Sequence, residues 1–301
     1  MSGVCSRRLW GIHAGNPFAD ENVKRLVKMM GPLLLGYSMI FVNQQVDKMI
    51  VSGLGDGVIT AMTYASVLSN FITTFVGSIC AVLFTYITQN IAEKKDQEAA
   101  RLTMESASQM ITLLLPISVL TMVNAGDIVS IVFGRGRFDQ TAVGNCALAL
   151  TGYGLMFVPV ALRELLTRFQ YGYEDSKTPM INSTIAIALN IVLSILLSLR
   201  WGVLGVTLAT SISVIVCAIL NFRSSRKRNT SLDICLLSGN LIPWLGGAAL
   251  CILISFGGRA VLGNSAPLVR FFLVVIISGL LYGIINFSVN RPMIRKIIRR
   301  R

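Results

Sequence analysis

Residues 32–55 read PLLLGYSMIFVNQQVDKMIVSGLG. An apolar run opens the stretch and another closes it. Between them Asp47 and Lys48 stand side by side. A membrane-spanning helix needs about 20 mostly apolar residues, and a charged side chain inside one costs about 3 kcal/mol or more unless it is paired or hydrated. The stretch therefore reads as a membrane helix with a special position inside it. Near mid-membrane, Asp47 must face a cavity, an ion or a cationic partner, or else serve a structural hydrogen bond between helices. Lys48 is the adjacent residue, points elsewhere on a helix and is a poor partner for Asp47. Its long stem lets it snorkel or face a lumen.

The rest of the chain fits this reading. Of 301 residues, 53% are hydrophobic and 14% charged, and the mean hydropathy is +0.68. A soluble domain carries about 25% charged residues. Eight stretches are long and apolar enough to span a bilayer: 29–54, 59–91, 100–125, 142–172, 179–199, 202–223, 238–262 and 267–289. Short polar connections such as GLGDG, AEKKDQ and YEDSKT separate them. Backbone groups in lipid must be satisfied within the segment, and the apolar runs are continuous rather than alternating. The expected fold is thus all-α, a polytopic membrane protein of about eight transmembrane helices. The chain divides into a cytoplasmic tail and amphipathic lead-in (1–28), six helices (29–226), two additional helices (227–290) and a basic cytoplasmic tail (291–301).

The net charge is +13, which in a soluble protein points toward nucleic acid. Here the position of the charge explains it. With both termini cytoplasmic, 19 of the 27 Lys and Arg residues fall in inside segments and 5 in outside loops. That is a positive-inside pattern, and the tail RPMIRKIIRRR suits anionic headgroups. No nucleic-acid partner is expected. The first 28 residues lack the apolar region of a signal peptide. Six scattered cysteines show no metal spacing and read as small buried hydrophobes. The single histidine, His13, lies in the N-terminal tail. No catalytic constellation is present, so the chain does not read as an enzyme. Pro32, Pro116, Pro159 and Pro243 lie in or near spans and mark places where helices can bend.

Polar residues recur at helical spacing in two other spans. In INSTIAIALNIVLSILLSL, Asn190 and Ser194 are four apart and share a face. In GVLGVTLATSIS, Val206 and Thr210 are likewise four apart. With Asp47 these offer oxygen ligands suited to a hard cation such as sodium, although Ser, Thr and Asn also join helices structurally. PVALRELLTRFQYGYED places Arg163 and Glu164 at depth and puts Glu164 four residues before Arg168, the favoured order for an ion pair. A cation facing a cavity binds phosphate; at the helix end, Arg168 would instead anchor at the interface. The stretch FGRGRFD, 133–139, follows the amphipathic AGDIVSIVF and reads as an interfacial helix and a turn, not as a phosphate loop.

NPFADENVKRLVKMMGPLLLG, VNQQVDKMIVSGLGDGVITAMTYA, IVFGRGRFD, LLTRFQYGYEDSKTP and ALNIVLS followed by GVLGVTLATS resemble, in order and spacing, the MurJ/MviN lipid II flippase family of the MOP exporter superfamily. The resemblance covers residues 17–226; the last two helices match only in hydrophobicity and placement. It implies that this chain is equivalent to helices seven to fourteen, the C-terminal lobe, without the N-terminal lobe that carries most of the arginines for the lipid diphosphate. The family's arginine after a tyrosine-alanine pair is Val67 here, in TYASVLSNF. The resemblance also implies a sodium site of Asp47, Asn190, the Val206 carbonyl and Thr210, with Ser194 where a second carboxylate can occur. Lys48, Arg163 and Arg168 are the candidates for the substrate cavity. No cofactor beyond a sodium ion is expected, and no other metal. The expected partners are a lipid-linked anionic substrate, membrane lipids and a separate N-terminal-lobe chain, in the bacterial cytoplasmic membrane. The expected function is lipid II flipping by a truncated or split chain. The alternatives are a transporter of another polyprenyl-linked glycan and a non-transporting remnant or scaffold. The tail MSGVCSRRLWGIHAG does not resemble the family, which implies a start-codon or reading-frame event near residue 15.

Overall fold

The computed structural model describes residues 21–134, 139–233, 241–261 and 267–298. The expected tail over residues 1–20 and the centre of the FGRGRFD turn lie outside the described residues, as do the side chains of the basic C-terminal tail. Among the described residues all regular structure is helical: α1 Glu21–Ser52, α2 Val58–Ala92, α3 Asp96–Val123, α4 Ala125–Phe133, α5 Gln140–Gly154, α6 Phe157–Gly172, α7 Lys177–Arg228, α8 Leu241–Val261 and α9 Pro267–Ile298. Four of these are by themselves long and apolar enough to cross a membrane, or five if α5 and α6 count as one broken span. The chain is an all-α, polytopic membrane protein.

The turn within α7 shapes the polar half of the bundle. Gly202 adopts φ +57° and ψ −133°, a conformation that a residue with a Cβ rarely takes. The chain folds back there, and residues 203–228 return along residues 177–201. A Cβ on Gly205 would lie 2.2 Å from the Leu197 carbonyl oxygen, so the two arms meet without side chains between them. Further along, Asn182 Nδ2 donates to Asn221 Oδ1 at 2.8 Å. The hairpin thus carries its polar residues face to face.

The span expected at 142–172 is not one straight helix. It breaks between Gly154 and Phe157 with a bend of 44°. Pro159 has no N–H to give to the Leu155 carbonyl, and its ring crowds that oxygen. Carbonyls released at a break must find other donors in lipid. Ser211 Oγ on α7 donates to Gly152 O at 2.7 Å, and Ser118 Oγ on α3 donates to Gly154 O. Upstream, Asp139 accepts from Ala142 N at 2.8 Å and caps the start of α5.

The apolar core lies among α2, α3, α5, α6 and the second arm of α7, with Ile87, Met104, Leu150, Phe157 and Phe169 fully enclosed. Helix α1 leans mainly on α7 and leaves Leu34, Phe41 and Met49 exposed, as a lipid-facing helix does. Helices α8 and α9 pair with each other and lie on α3 and α4. Among the described residues, polar contacts join them to α3 and α4. Trp244 Nε1 donates to Thr112 Oγ1 at 2.8 Å, Asn124 Nδ2 donates to Ser255 Oγ at 3.1 Å, and Arg270 forms a largely buried ion pair with Asp127 on α4.

Candidate functional site

A cavity of about 510 Å³ lies between α1, α2, α6 and α7. Its lining includes Asp47, Lys48, Asn190, Thr210, Arg163 and Arg168, so most of the expected site residues meet in one space. Further polar residues line it among apolar ones: Asn43 and Gln44 from α1, and Thr63, Ser66, Asn70 and Thr73 from α2. Polar side chains on membrane helices gather where water or a ligand reaches them.

Asp47 sits five residues before the end of α1, about 7 Å along the axis from that end. It is nearer a helix end than the mid-membrane placement expected from the sequence. It is 4% exposed. Ser194 Oγ donates to its Oδ1 at 3.0 Å and Thr210 Oγ1 to its Oδ2 at 3.4 Å. Thr210 Oγ1 also lies 3.1 Å from the Val206 carbonyl. Both arms of the α7 hairpin therefore reach the carboxylate. Among the described residues no Lys or Arg lies within ion-pair distance of it. Lys48 points into the cavity and is exposed.

Asn190, 1% exposed, closes the cluster: its nitrogen donates to Asn43 Oδ1 at 2.9 Å and to Asp47 Oδ1 at 3.2 Å, and its oxygen accepts from Thr210 N at 3.0 Å. This donor set fits a monovalent cation in kind. It is all oxygen, it carries one uncompensated carboxylate, and one charge balances a monovalent ion. Asn43 escaped the sequence reading. Its signal was present, because it stands four residues before Asp47 and shares its face.

The cationic residues are arranged differently from expectation. Glu164 pairs with Arg163, its neighbour, at 2.7 Å, not with Arg168 four residues on. Helical spacing describes a helix alone in solvent, whereas here both side chains fold into the cavity. Arg168 lines the cavity instead of ending at an interface. Its guanidinium lies 6.0 Å from the centre of the Phe84 ring, and its Nε is buried without a hydrogen-bond partner. Val67 is exposed and outside the cavity lining.

At the opposite end of α6 and α7 from the Asp47 cluster, the YEDSKT segment forms a second polar cluster. Asp175 accepts from Thr178 N at 3.0 Å and from Arg228 Nη1 at 2.9 Å. Tyr173 Oη donates to Asp96 Oδ1 at 2.7 Å. Burial and the bond to Asp96 push the Tyr173 phenol up to about 12. Burial raises the Asp175 carboxyl, but the Thr178 hydrogen bonds and the Arg228 charge outweigh it and hold the group below its ordinary value.

Comparison with known proteins gives a consistent result. The family model described as "Lipid II flippase MurJ" matches residues 10–280. The Probable lipid II flippase MurJ of Vibrio cholerae is 28% identical over 224 residues, which are 74% of this chain and 41% of that protein. The chain spans about two fifths of the length of the curated relatives it matches. A solved structure of lipid II flippase MurJ in an inward closed conformation superposes with a TM-score of 0.76 at 21% identity, covering 90% of this chain and 56% of that one. An outward-facing multidrug resistance MATE family transporter of the MOP superfamily gives 0.62 at 17% identity, over 92% and 64%.

Proposed function

The chain belongs to the lipid II flippase MurJ family, and from that membership we propose that it is the cation-binding C-terminal lobe of a flippase for a lipid-linked anionic peptidoglycan precursor. The observation that carries this is the pairing of features in one cavity. A buried carboxylate without a cationic partner, Asp47, shares the space with Lys48, Arg163 and Arg168. The first suits an inorganic cation and the others suit a diphosphate.

Sodium would be held by Asp47, Asn190, Ser194, Thr210 and the Val206 carbonyl, with Asn43 added. It would supply one positive charge that biases the lobe between two arrangements, since a ligand shifts an equilibrium by its differential affinity. The chain's own residues do the rest. The hydroxyls of Ser194 and Thr210 orient the carboxylate, and Arg163 and Arg168 offer donors to phosphate oxygens. Helices α8 and α9, lying outside α3 and α4, are placed to accompany the lipid tail. The membrane is the bacterial cytoplasmic one, crossed eight times, with both termini inside. The open side of the cavity, along α1 and α2, is completed by an N-terminal lobe.

Reconstitution tests this. The chain is placed in vesicles with fluorescent lipid II, alone and with the co-expressed six-helix N-terminal lobe of a relative. Transport with the lobe and none without it supports the reading. Absence of transport in both, with the two parts co-purifying, contradicts it and favours the non-transporting scaffold.

A further inference from the structure

Glu164 is the one acidic side chain that the cavity places among its arginines. It forms an ion pair with Arg163 in which the two side chains keep 29% and 26% of their exposure. Adjacent residues on a helix diverge, so helix geometry does not impose this pair. The partner that helix geometry favours is Arg168, four residues on with the glutamate N-terminal to the arginine. Arg168 has a buried Nε without an acceptor. One carboxylate thus pairs with one guanidinium, while a second guanidinium stands one helical turn along with an Nε that has no acceptor.

We propose that Glu164 is a two-position counter-ion for the anionic headgroup: it holds Arg163 while the cavity is empty and moves to Arg168 when a diphosphate takes Arg163. The proposal rests on the reading of the cavity as an anion site. A phosphate that takes the Nη1–Nη2 edge of Arg163 through two parallel hydrogen bonds competes for Nη2, the nitrogen that Glu164 Oε1 now holds at 2.7 Å. The displaced carboxylate does not remain as an unpaired charge at depth, because the Nε side of Arg168, which has no acceptor, takes it and leaves the outer Nη edge to phosphate. On release it returns to Arg163 and competes with the departing anion. Glu164 therefore weakens binding and speeds release. It is a positioning residue that acts through Arg163.

The test is farnesyl diphosphate binding to the purified full chain in detergent, by calorimetry, for wild type, Glu164→Gln, Arg163→Gln and the double variant. Glu164→Gln is expected to bind about fivefold tighter, the effect of removing one competing ion pair, with a slower off-rate. Arg163→Gln is expected to bind more weakly, and adding Glu164→Gln to it should change little. Equal tightening in both backgrounds would mean that only the net charge matters, and would overturn the counter-ion role. Weakening by Arg163→Gln with no effect of Glu164→Gln would overturn the proposal while the anion cavity stands. Absence of binding by every form, with melting curves intact, would overturn both.

Discussion

Asp47 and Asn190 decide what the polar core of this lobe can bind. A buried carboxylate whose partners are all neutral is costly unless a cation or a proton joins it. The Asn190 amide nitrogen and the Ser194 and Thr210 hydroxyls donate to it, and none of them brings a charge. Ser194 Oγ lies 3.0 Å from Asp47 Oδ1, so Ser194→Asp would set a second carboxylate at the site. Ligand charge tunes cation affinity. The variant should reach half of its sodium-dependent stabilisation at about tenfold lower sodium, a gain of about 1.4 kcal/mol; thermal melting across sodium concentrations reads it. A midpoint equal to wild type would remove Ser194 from the ligand shell. Helical spacing put Asn190 with Ser194 and Val206 with Thr210 on shared faces, but their grouping with Asp47 came from the family resemblance, because spacing along one helix says nothing of which helix faces it. The partner of Glu164 was not legible, since two arginines stood within reach and only the tertiary cavity chose between them.

At the scale of elements, the α7 hairpin and the broken α5–α6 span make the site possible. The hairpin turns at Gly202 and brings its arms into backbone contact at Gly205. Gly205→Val should destabilise the lobe by about 1–3 kcal/mol, because backbone atoms cannot move aside cheaply; a lower Tm measures it. The span break was not legible in residues 142–172, because GLMFVPVA around it is apolar throughout. Pro159 marked it only as a place where bending is allowed. What fixes the bend is the pair of hydroxyls, Ser118 and Ser211, that take up the released carbonyls. The YEDSKT cluster adds a pH dependence. The folded pKa of Asp175 lies below its ordinary 3.8. Its contribution is therefore present above that value and is lost as pH falls through the lower folded value. Asp175→Asn should flatten the acid side of the stability profile below about pH 4 and leave the profile near neutrality parallel to wild type.

For the whole molecule, the issue is how a bundle with one open polar side holds together in a membrane. Helices α8 and α9 were legible only as apolar runs, and their attachment was not legible at all. It depends on Asp127, within a helix read as amphipathic, and on Arg270, at the start of the apolar run 267–289. Removing one member of a buried ion pair leaves the other uncompensated, at a cost of about 3–5 kcal/mol. Arg270→Ala should therefore loosen α8 and α9 from α3 and α4, seen as faster hydrogen exchange in α8 and α9 with α2 and α6 unaffected. Arg270→Met with Asp127→Leu should recover much of the loss. The overall reading rests on Asp47 acting as a cation ligand in a lobe of a flippase. The most direct measurement is the Tm of the purified chain across sodium concentrations at constant ionic strength, for wild type and Asp47→Asn. Sodium at about a hundred times its Kd should stabilise wild type by about 2.7 kcal/mol and leave Asp47→Asn unchanged. A Tm independent of sodium in both forms would contradict the account.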